Sequence, residues 1–280
     1  MSEGYGGFDC HVHVVDPVRH PFPAATPRRP DASGHATLDD LDAVLATAGL
    51  GGALIVQPSP YLEDNAALLD ALSRSGGRHR AIAALSLEAD EATLDGMAAA
   101  GVVGVRLNLV NFDFNAALAT ALPPVLERLA ARRWWVELQM RAPEFPKVAP
   151  LLEDSGVDVL FDHVGYPDVT KGTDEPGFAA ICAFAAKGRA AIKLSGAFRL
   201  SSRPFPHEDL DAFAAAVIDA FGIERCVWGS DYPFLWVDQR PAFSEALAQL
   251  ARWVPDPEHR AIVLRDAPMR LFGFTAAAPA

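Results

Sequence analysis

The chain has 280 residues, half of them hydrophobic, and a formal net charge of −12. This length and hydrophobic content suit one large α/β barrel or two smaller domains, and the acidic balance without a basic patch argues against nucleic acid and anionic membranes as partners. Three distant cysteines, no signal-like start and no membrane-length apolar run predict a cytoplasmic protein without a disulfide framework.

The first chemically distinctive stretch is residues 8–15, an apolar strand pattern that contains His11 and His13. Side chains alternate along a strand, so the two imidazoles are expected to point to the same side. Such a pair at the carboxyl end of a strand can bind a divalent metal or polarise a carbonyl group. The pair alone is equally compatible with histidines that backbone partners satisfy.

The remaining chain alternates short apolar runs with helical patterns. After a proline-rich segment at 16–33, which predicts an extended loop, a helix is expected between the N-cap Thr37 and Gly49. Further strands are predicted at 53–56, 81–85, 102–109, 135–139, 157–161, 191–194 and 226–228, and further helices at 65–74, 89–100, 122–132, 178–187, 210–221 and 242–253. The helix at 122–132 is predicted to start on two prolines.

This alternation implies parallel βαβ units, and about eight of them within this length predict a single (β/α)8 barrel, an α/β fold, over residues 1–280. The alternative is a doubly wound open sheet. Its commonest fingerprint is missing, because no G-x-G-x-x-G follows the first strand.

Polar residues end most of the predicted strands, and in a barrel the carboxyl ends of the strands meet at one mouth, where the chemistry occurs. These residues are His11, His13, Gln57, Ser59, Arg106, Asn108, Gln139, Arg141, Asp162, His163, Lys193, Ser195, Arg199, Ser230 and Asp231. Asp231 suits a general base that takes a proton from water, and a turn cap is an equally good interpretation of that residue alone. Lys193 suits a role in the barrel interior as well as a functional one.

Three motifs resemble those of the amidohydrolase superfamily: Phe8-Asp9-Cys10-His11-Val12-His13, Phe161-Asp162-His163-Val164-Gly165 and Trp228-Gly229-Ser230-Asp231-Tyr232-Pro233. Within that superfamily, the chain is similar to the branch that contains 2-pyrone-4,6-dicarboxylate lactonase and the sugar lactonases. Pro167-Asp168-Val169-Thr170-Lys171-Gly172 is similar to the first, and Arg141-Ala142-Pro143 to the second.

The resemblance implies a TIM-barrel hydrolase that opens a cyclic ester. It implies that Asp231 activates water, that His11, His13 and His163 polarise the lactone carbonyl, and that Arg106 and Arg199 hold substrate carboxylates. Further substrate contacts are predicted at Gln57, Ser59, Asn108, Gln139 and Arg141.

Two departures from the pyrone lactonase limit the choice of substrate. Residues 110–113 contain no cation where that enzyme has a further arginine, and Gln139 stands in place of its strand-five tyrosine. A pyrone, a sugar-acid lactone and a muconolactone-type lactone therefore stay equally good candidates for a carboxylate-bearing substrate.

The pattern is compatible with catalysis either with or without a metal ion. His11, His13, His163 and Asp231 could hold one zinc ion with an open position. The fifth strand offers only Glu137 and Gln139, however, where metal-dependent relatives usually supply a ligand, so we favour catalysis without a cofactor. The alternatives are a metal-dependent decarboxylase, a lactone isomerase and a non-catalytic binder of a small acid, and a homo-oligomer is compatible with the sequence.

Overall fold

A computed structural model of the chain describes residues 6–110 and 114–275. Eight parallel strands form one sheet in sequence order, which confirms the predicted (β/α)8 barrel. They are Gly7–Val12 (β1), Leu50–Val56 (β2), Arg80–Ala83 (β3), Val102–Asn108 (β4), Trp135–Gln139 (β5), Asp158–Phe161 (β6), Ala190–Leu194 (β7) and Cys226–Trp228 (β8). The ring closes where β1 meets the chain just after β8: Asp231 N donates to His11 O and His13 N donates to Tyr232 O, each at 2.8 Å.

Most of the helices cover the outside of the sheet. They are Leu38–Thr47 (α1), Ala66–Arg74 (α2), Glu91–Ala100 (α3), Ala116–Ala131 (α4), Phe145–Ser155 (α5), Pro176–Phe184 (α6), Ala197–Leu200 (α7), Asp211–Phe221 (α8), Phe243–Trp253 (α9), Pro257–Ala261 (α10) and Ala267–Phe272 (α11). Among the described residues, no helix combines the length and the apolar character needed to span a bilayer.

The predicted start of α4 was wrong, and three of these helical regions were not predicted: α5, the short helix α7 and the region from α10 to α11. Helix α4 begins six residues earlier than expected, because Asn115 accepts a hydrogen bond from Leu118 N and caps it there. Its two prolines therefore lie inside the helix. Prolines within α5 obscured its helical pattern, although Phe145, Val148 and Leu152 form a buried face.

An apolar layer of side chains fills the barrel interior near the amino-terminal ends of the strands. It is formed by Phe8, Cys10, Leu54, Val56, Ile82, Trp135, Leu160, Ala191 and Val227, together with Ala267, Phe272 and Phe274 from the C-terminal region. Trp135 Nε1 donates to Leu271 O at 3.0 Å, which ties that region to the barrel. Because the amino-terminal end is filled with apolar side chains, polar chemistry is confined to the carboxyl-terminal mouth.

Strand β1 carries a bulge that matters for the site. Asp9 pairs with Ala53 and Val12 with Ile55, so a step of three residues on β1 matches a step of two on β2. Cys10 packs in the interior layer, yet the ring of His11, the next residue, also contacts interior Lys193. An extra residue in a strand re-aims the side chains around it, so the adjacent residues Cys10 and His11 both reach the barrel interior, and His11 still points to the same mouth as His13, as alternation predicted.

Candidate active site

The four residues predicted to be catalytic lie together at the mouth. Asp231 Oδ1 is 3.3 Å from His13 Nε2 and 3.7 Å from His11 Nε2, and Asp231 Oδ2 is 3.8 Å from His163 Nε2. The ring centroids of His11 and His163 are 4.7 Å apart. All four side chains are buried. The structure therefore brings one carboxyl and three imidazoles into a single cluster, and their catalytic roles stay a prediction.

Two glycines allow this close approach. A Cβ at Gly229, just after β8, would lie 2.5 Å from His11 Cβ, and a Cβ at Gly196, just after β7, would lie 2.6 Å from the His163 ring. Gly196 also has a φ of +69°, a conformation that favours glycine. Any larger residue at either position would push an imidazole away from Asp231.

Asp9 joins β1, which carries His11, to the segment after β8 that carries Asp231. Its Oδ1 accepts hydrogen bonds from Ser230 N at 2.9 Å and from His11 N at 3.1 Å. The carboxyl is fully buried, and burial raises its pKa from 3.8 to about 7. Asp9 thus binds β1 to the end of β8 while it holds a proton more tightly than an exposed aspartate does.

We expect the substitution Asp9→Asn to change how stability depends on pH. Because the folded-state pKa of Asp9 is higher than its unfolded value, its contribution is complete below pH 3.8 and is lost as the pH rises toward about 7. The variant keeps the Oδ1 acceptor without an ionisable group. Relative to wild type, its free energy of unfolding in urea should therefore increase from about pH 5 to about pH 8. A difference that stays constant over that range would contradict this.

Burial keeps His11 and His163 uncharged. It lowers the pKa of His163 to about 4 and holds the pKa of His11 well below its usual value, so both are neutral near pH 7. His163 Nδ1 is 2.9 Å from Ser195 Oγ. His13 Nδ1 is 2.8 Å from Val56 O, and since a carbonyl oxygen only accepts, His13 carries a proton on Nδ1.

Asp231 has the opposite behaviour. Burial alone would raise its pKa, but the guanidinium of Arg199 and the contact with His13 hold the pKa of this carboxyl well below its usual range. Arg199 lies on the short helix α7, its Nε donates to Asp231 Oδ2, and its Nη1 donates to Leu235 O at 2.9 Å. Asp231 is thus an ionised carboxylate, and Arg199 occupies one of its two oxygens.

Below the cluster lies a buried ionic network that joins β4, β5, β6 and β7. Arg106 Nη2 is 3.1 Å from Asp162 Oδ2, and Arg106 Nε is 3.4 Å from Glu137 Oε1. Lys193 donates to Glu137 Oε2 and lies 3.2 Å from Asp162 Oδ1. Arg106 was predicted to hold a substrate carboxylate, but two carboxylates of the protein already pair with it. The sequence indicated the positions of Glu137 and Lys193 but not this pairing.

Of the other residues predicted to contact substrate, three make hydrogen bonds within the protein, and two lie at the end of β5 or just after it. Asn108 Nδ2 donates to Ser59 Oγ at 3.1 Å, which joins β4 to the loop after β2. Gln57 is buried and donates to Asp64 O at 2.8 Å, so it braces that loop. Gln139 is half-buried at the end of β5, and Arg141 is exposed. The segment 111–113, where the missing cation was expected to affect specificity, lies outside the described residues.

Tyr166 was missed by the sequence analysis. Its ring centroid lies 5.9 Å from that of His163, and its side chain is half-buried. Burial raises the pKa of its hydroxyl, against the opposing influence of Arg199 and Arg141. The available signal was its position three residues after His163, where the chain leaves β6 at the mouth.

The cluster can be tested for its fit to a metal ion. Two groups bring three potential ligands together: His11, His13 and Asp231, and His11, Asp162 and His163. A histidine that binds metal through one nitrogen usually donates its other N–H to an oxygen. His13 meets this condition through Val56 O. His11 does not, because its Nδ1 is hydrogen-bonded to the ammonium of Lys193 at 2.9 Å. His13 and Asp231 thus fit a metal, whereas His11, which belongs to both groups, does not.

A closed (β/α)8 barrel with an ionised carboxylate and three imidazoles at its carboxyl-terminal mouth is the architecture of a barrel enzyme that handles protons and carbonyl groups. The chain matches the family model described as Amidohydrolase over residues 8–274, and it belongs to that family.

Several relatives match almost the whole chain. A 2-pyrone-4,6-dicarboxylate hydrolase from Comamonas testosteroni is 29% identical over 95% of this chain and 90% of its own length. A 4-sulfomuconolactone hydrolase from Hydrogenophaga intermedia is 28% identical over 97% of this chain and 90% of its own. A crystal structure from Pseudomonas putida, provisionally assigned as a 2-pyrone-4,6-dicarboxylic acid hydrolase, is 32% identical with a TM-score of 0.86 and covers 98% of this chain and 99% of its own.

Proposed function

We propose that this protein is a hydrolase that opens a carboxylate-bearing lactone. The observation that carries the proposal is the ionised Asp231, whose oxygens lie 3.3 to 3.8 Å from three imidazole nitrogens at the barrel mouth. A carboxylate can accept a proton from water, and imidazole N–H groups can stabilise the oxyanion that forms when water adds to a carbonyl. The names of the relatives, two of which denote lactone hydrolases with anionic substrates, support the same reaction class.

The proposed reaction uses only groups of this chain. Asp231 takes a proton from water as the water oxygen bonds to the lactone carbonyl carbon, and the carbonyl oxygen becomes an oxyanion near His11 and His163. The bond between that carbon and the ring oxygen then breaks. The leaving oxygen takes the proton from Asp231, and the new carboxylic acid releases its own proton to solvent. One water is consumed, and one proton is released near pH 7.

Arg199 is proposed to couple substrate binding to activation of the base. Its guanidinium pairs with Asp231, and its side chain is 17% exposed. A substrate carboxylate can compete for this fork, because guanidinium groups bind carboxylates at two points. When Arg199 turns to the substrate, Asp231 loses its main cationic partner, so its pKa rises and it becomes a stronger base. Arg106, whose side chain is only 6% exposed and which already pairs with two carboxylates, is less suited to that role.

The test is a hydrolysis screen over pyrone dicarboxylate, sugar-acid and muconate-derived lactones, with proton release as the readout. We expect stoichiometric acid production from at least one lactone class and none with Asp231→Asn. Consumption of a lactone without acid release would instead identify an isomerase. Release of carbon dioxide from an aromatic acid would identify a decarboxylase.

We further propose that the reaction needs no metal, because Lys193 occupies the His11 nitrogen that a metal site would leave for an oxygen acceptor. Activity of the enzyme purified without added zinc should therefore change by less than about twofold after chelation and dialysis. Zinc content, measured by elemental analysis on the same samples, is the control. Full loss of activity on chelation with recovery on zinc addition would contradict the prediction.

Location in the cytoplasm, the exclusion of nucleic-acid and membrane partners, and assembly into a homo-oligomer stay predictions from the sequence. Light scattering during size exclusion would test the last of these directly.

A further inference from the structure

We propose that Lys193 is a positioning residue that keeps the proton of His11 on Nε2, so that His11 presents a hydrogen-bond donor to the substrate oxygen. Lys193 lies on β7, which only β8 separates from β1 around the barrel, and its Nζ is 2.9 Å from His11 Nδ1. The role of His11 as a donor to the substrate oxygen rests on the proposed function, whereas the position of the proton on His11 does not depend on it.

The positions of the neighbouring atoms allow only one assignment of the three protons of the Lys193 ammonium group. An ammonium group has three protons and no acceptor. Nζ donates to Glu137 Oε2, lies 3.2 Å from Asp162 Oδ1 and is hydrogen-bonded to His11 Nδ1. The side chains of Lys193, Glu137 and Asp162 have no exposed area, so water does not replace any of these contacts. His11 Nδ1 must therefore accept, and the single proton of a neutral imidazole lies on Nε2.

Asp162 is the competitor for the same nitrogen. Its Oδ1 is 3.2 Å from His11 Nδ1, and a proton on Nδ1 would point toward it. The contact with Lys193 is the shorter of the two, at 2.9 Å against 3.2 Å, and an ammonium group can only donate. The other oxygen of Asp162 accepts from Arg106 Nη2 at 3.1 Å. Lys193 rather than Asp162 is thus the hydrogen-bond partner of His11.

The consequence concerns Nε2, the other nitrogen of the His11 imidazole. His11 Nε2 is buried and has no hydrogen-bond partner among the described residues. It lies 3.7 Å from Asp231 Oδ1, which is beyond hydrogen-bond distance. A protonated Nε2 has no lone pair for a metal, but it is a donor beside the carboxylate that activates water. A substrate carbonyl oxygen would supply the acceptor that this donor lacks.

The test compares wild type with a double variant, Lys193→Met with Glu137→Gln, which removes the buried charge pair together. Glu137→Gln alone is the matched control, because it retains the bond from Lys193 to His11. The tautomer is read from long-range proton–nitrogen NMR spectra of protein labelled at histidine, with His11→Asn used to assign the signals. We expect a proton on Nε2 in wild type and in the control. In the double variant, we expect the proton to move at least in part to Nδ1, toward Asp162.

Two further readouts separate positioning from folding. The double variant should lose about 10²-fold in kcat relative to the control, the cost of one oxyanion donor, with KM changed less than about threefold. Its affinity for zinc should rise about tenfold or more, since His11 Nε2 becomes a metal ligand.

A wild-type spectrum with the proton on Nδ1 would overturn the proposal even if the double variant does not fold. An unchanged tautomer and unchanged zinc affinity in a folded double variant would overturn it as well. These spectra need no substrate, so failure of the lactone screen would not affect them.

Discussion

Replacing Asp231 with asparagine is expected to lower kcat for lactone hydrolysis by about 10³-fold, while KM rises less than about threefold. Asparagine has nearly the same shape but cannot take a proton from water at neutral pH. The carboxylate is buried and ionised, whereas burial lowers the pKa of His11 and His163 and makes these two imidazoles weak bases. Loss of its negative charge also frees Arg199 for a substrate carboxylate, which opposes any loss of affinity.

Steady-state kinetics and a binding measurement on the same variant check this result. Asp95→Asn is a suitable control, because Asp95 lies on the exposed surface of α3 and pairs with Arg132 far from the mouth. We expect this control to have wild-type kinetics. If Asp231→Asn kept turnover within tenfold of wild type, Asp231 would not be the base. If it lost turnover and substrate affinity together, its role would be binding rather than proton transfer.

Replacing Arg199 with methionine is expected to raise KM about 10²-fold and to move the acid limb of the kcat/KM profile to higher pH. The first effect follows from loss of the cation proposed to bind the substrate carboxylate. The second follows from the pKa of Asp231, which Arg199 holds well below its usual range. Without that cation burial dominates, so the pKa of Asp231 rises and the carboxylate is protonated at a pH where wild type is still active.

The pH profile of wild type provides the reference. Because its Asp231 is ionised far below neutral pH, kcat/KM should not fall as the pH drops moderately below 7. Arg199→Lys is the matched control: it keeps the charge but loses the planar fork, so we expect a smaller shift of the acid limb and an intermediate KM. An unmoved acid limb in Arg199→Met would show that the ion pair does not control the base. An unchanged KM would place the substrate carboxylate elsewhere, with exposed Arg141 as the next candidate.

The sequence by itself determined the architecture and the location of the chemistry. Continuous apolar runs mark strands that are covered on both faces, and their alternation with helical patterns allows few arrangements other than a parallel barrel. Since all strands of a barrel end at the same mouth, polar residues after those runs had to gather there. His11, His13, His163 and Asp231 were expected at that mouth for this reason, and the family resemblance singled them out as the catalytic group. The structure places a nitrogen of each of the three histidines within 4 Å of an Asp231 oxygen.

Only the tertiary structure decided which charged groups pair. Strand alternation predicts which face of the sheet a residue occupies, but not its partner on another strand, because that partner can be far away in sequence, as Lys193 is from His11 at a separation of 182 residues. The bulge in β1, the ionic network around Arg106 and the pairing of Arg199 with Asp231 all depend on register and side-chain direction in three dimensions. These contacts set the pKa of the proposed base and the proton position on His11, so the finer chemistry of the site follows from packing rather than from sequence pattern.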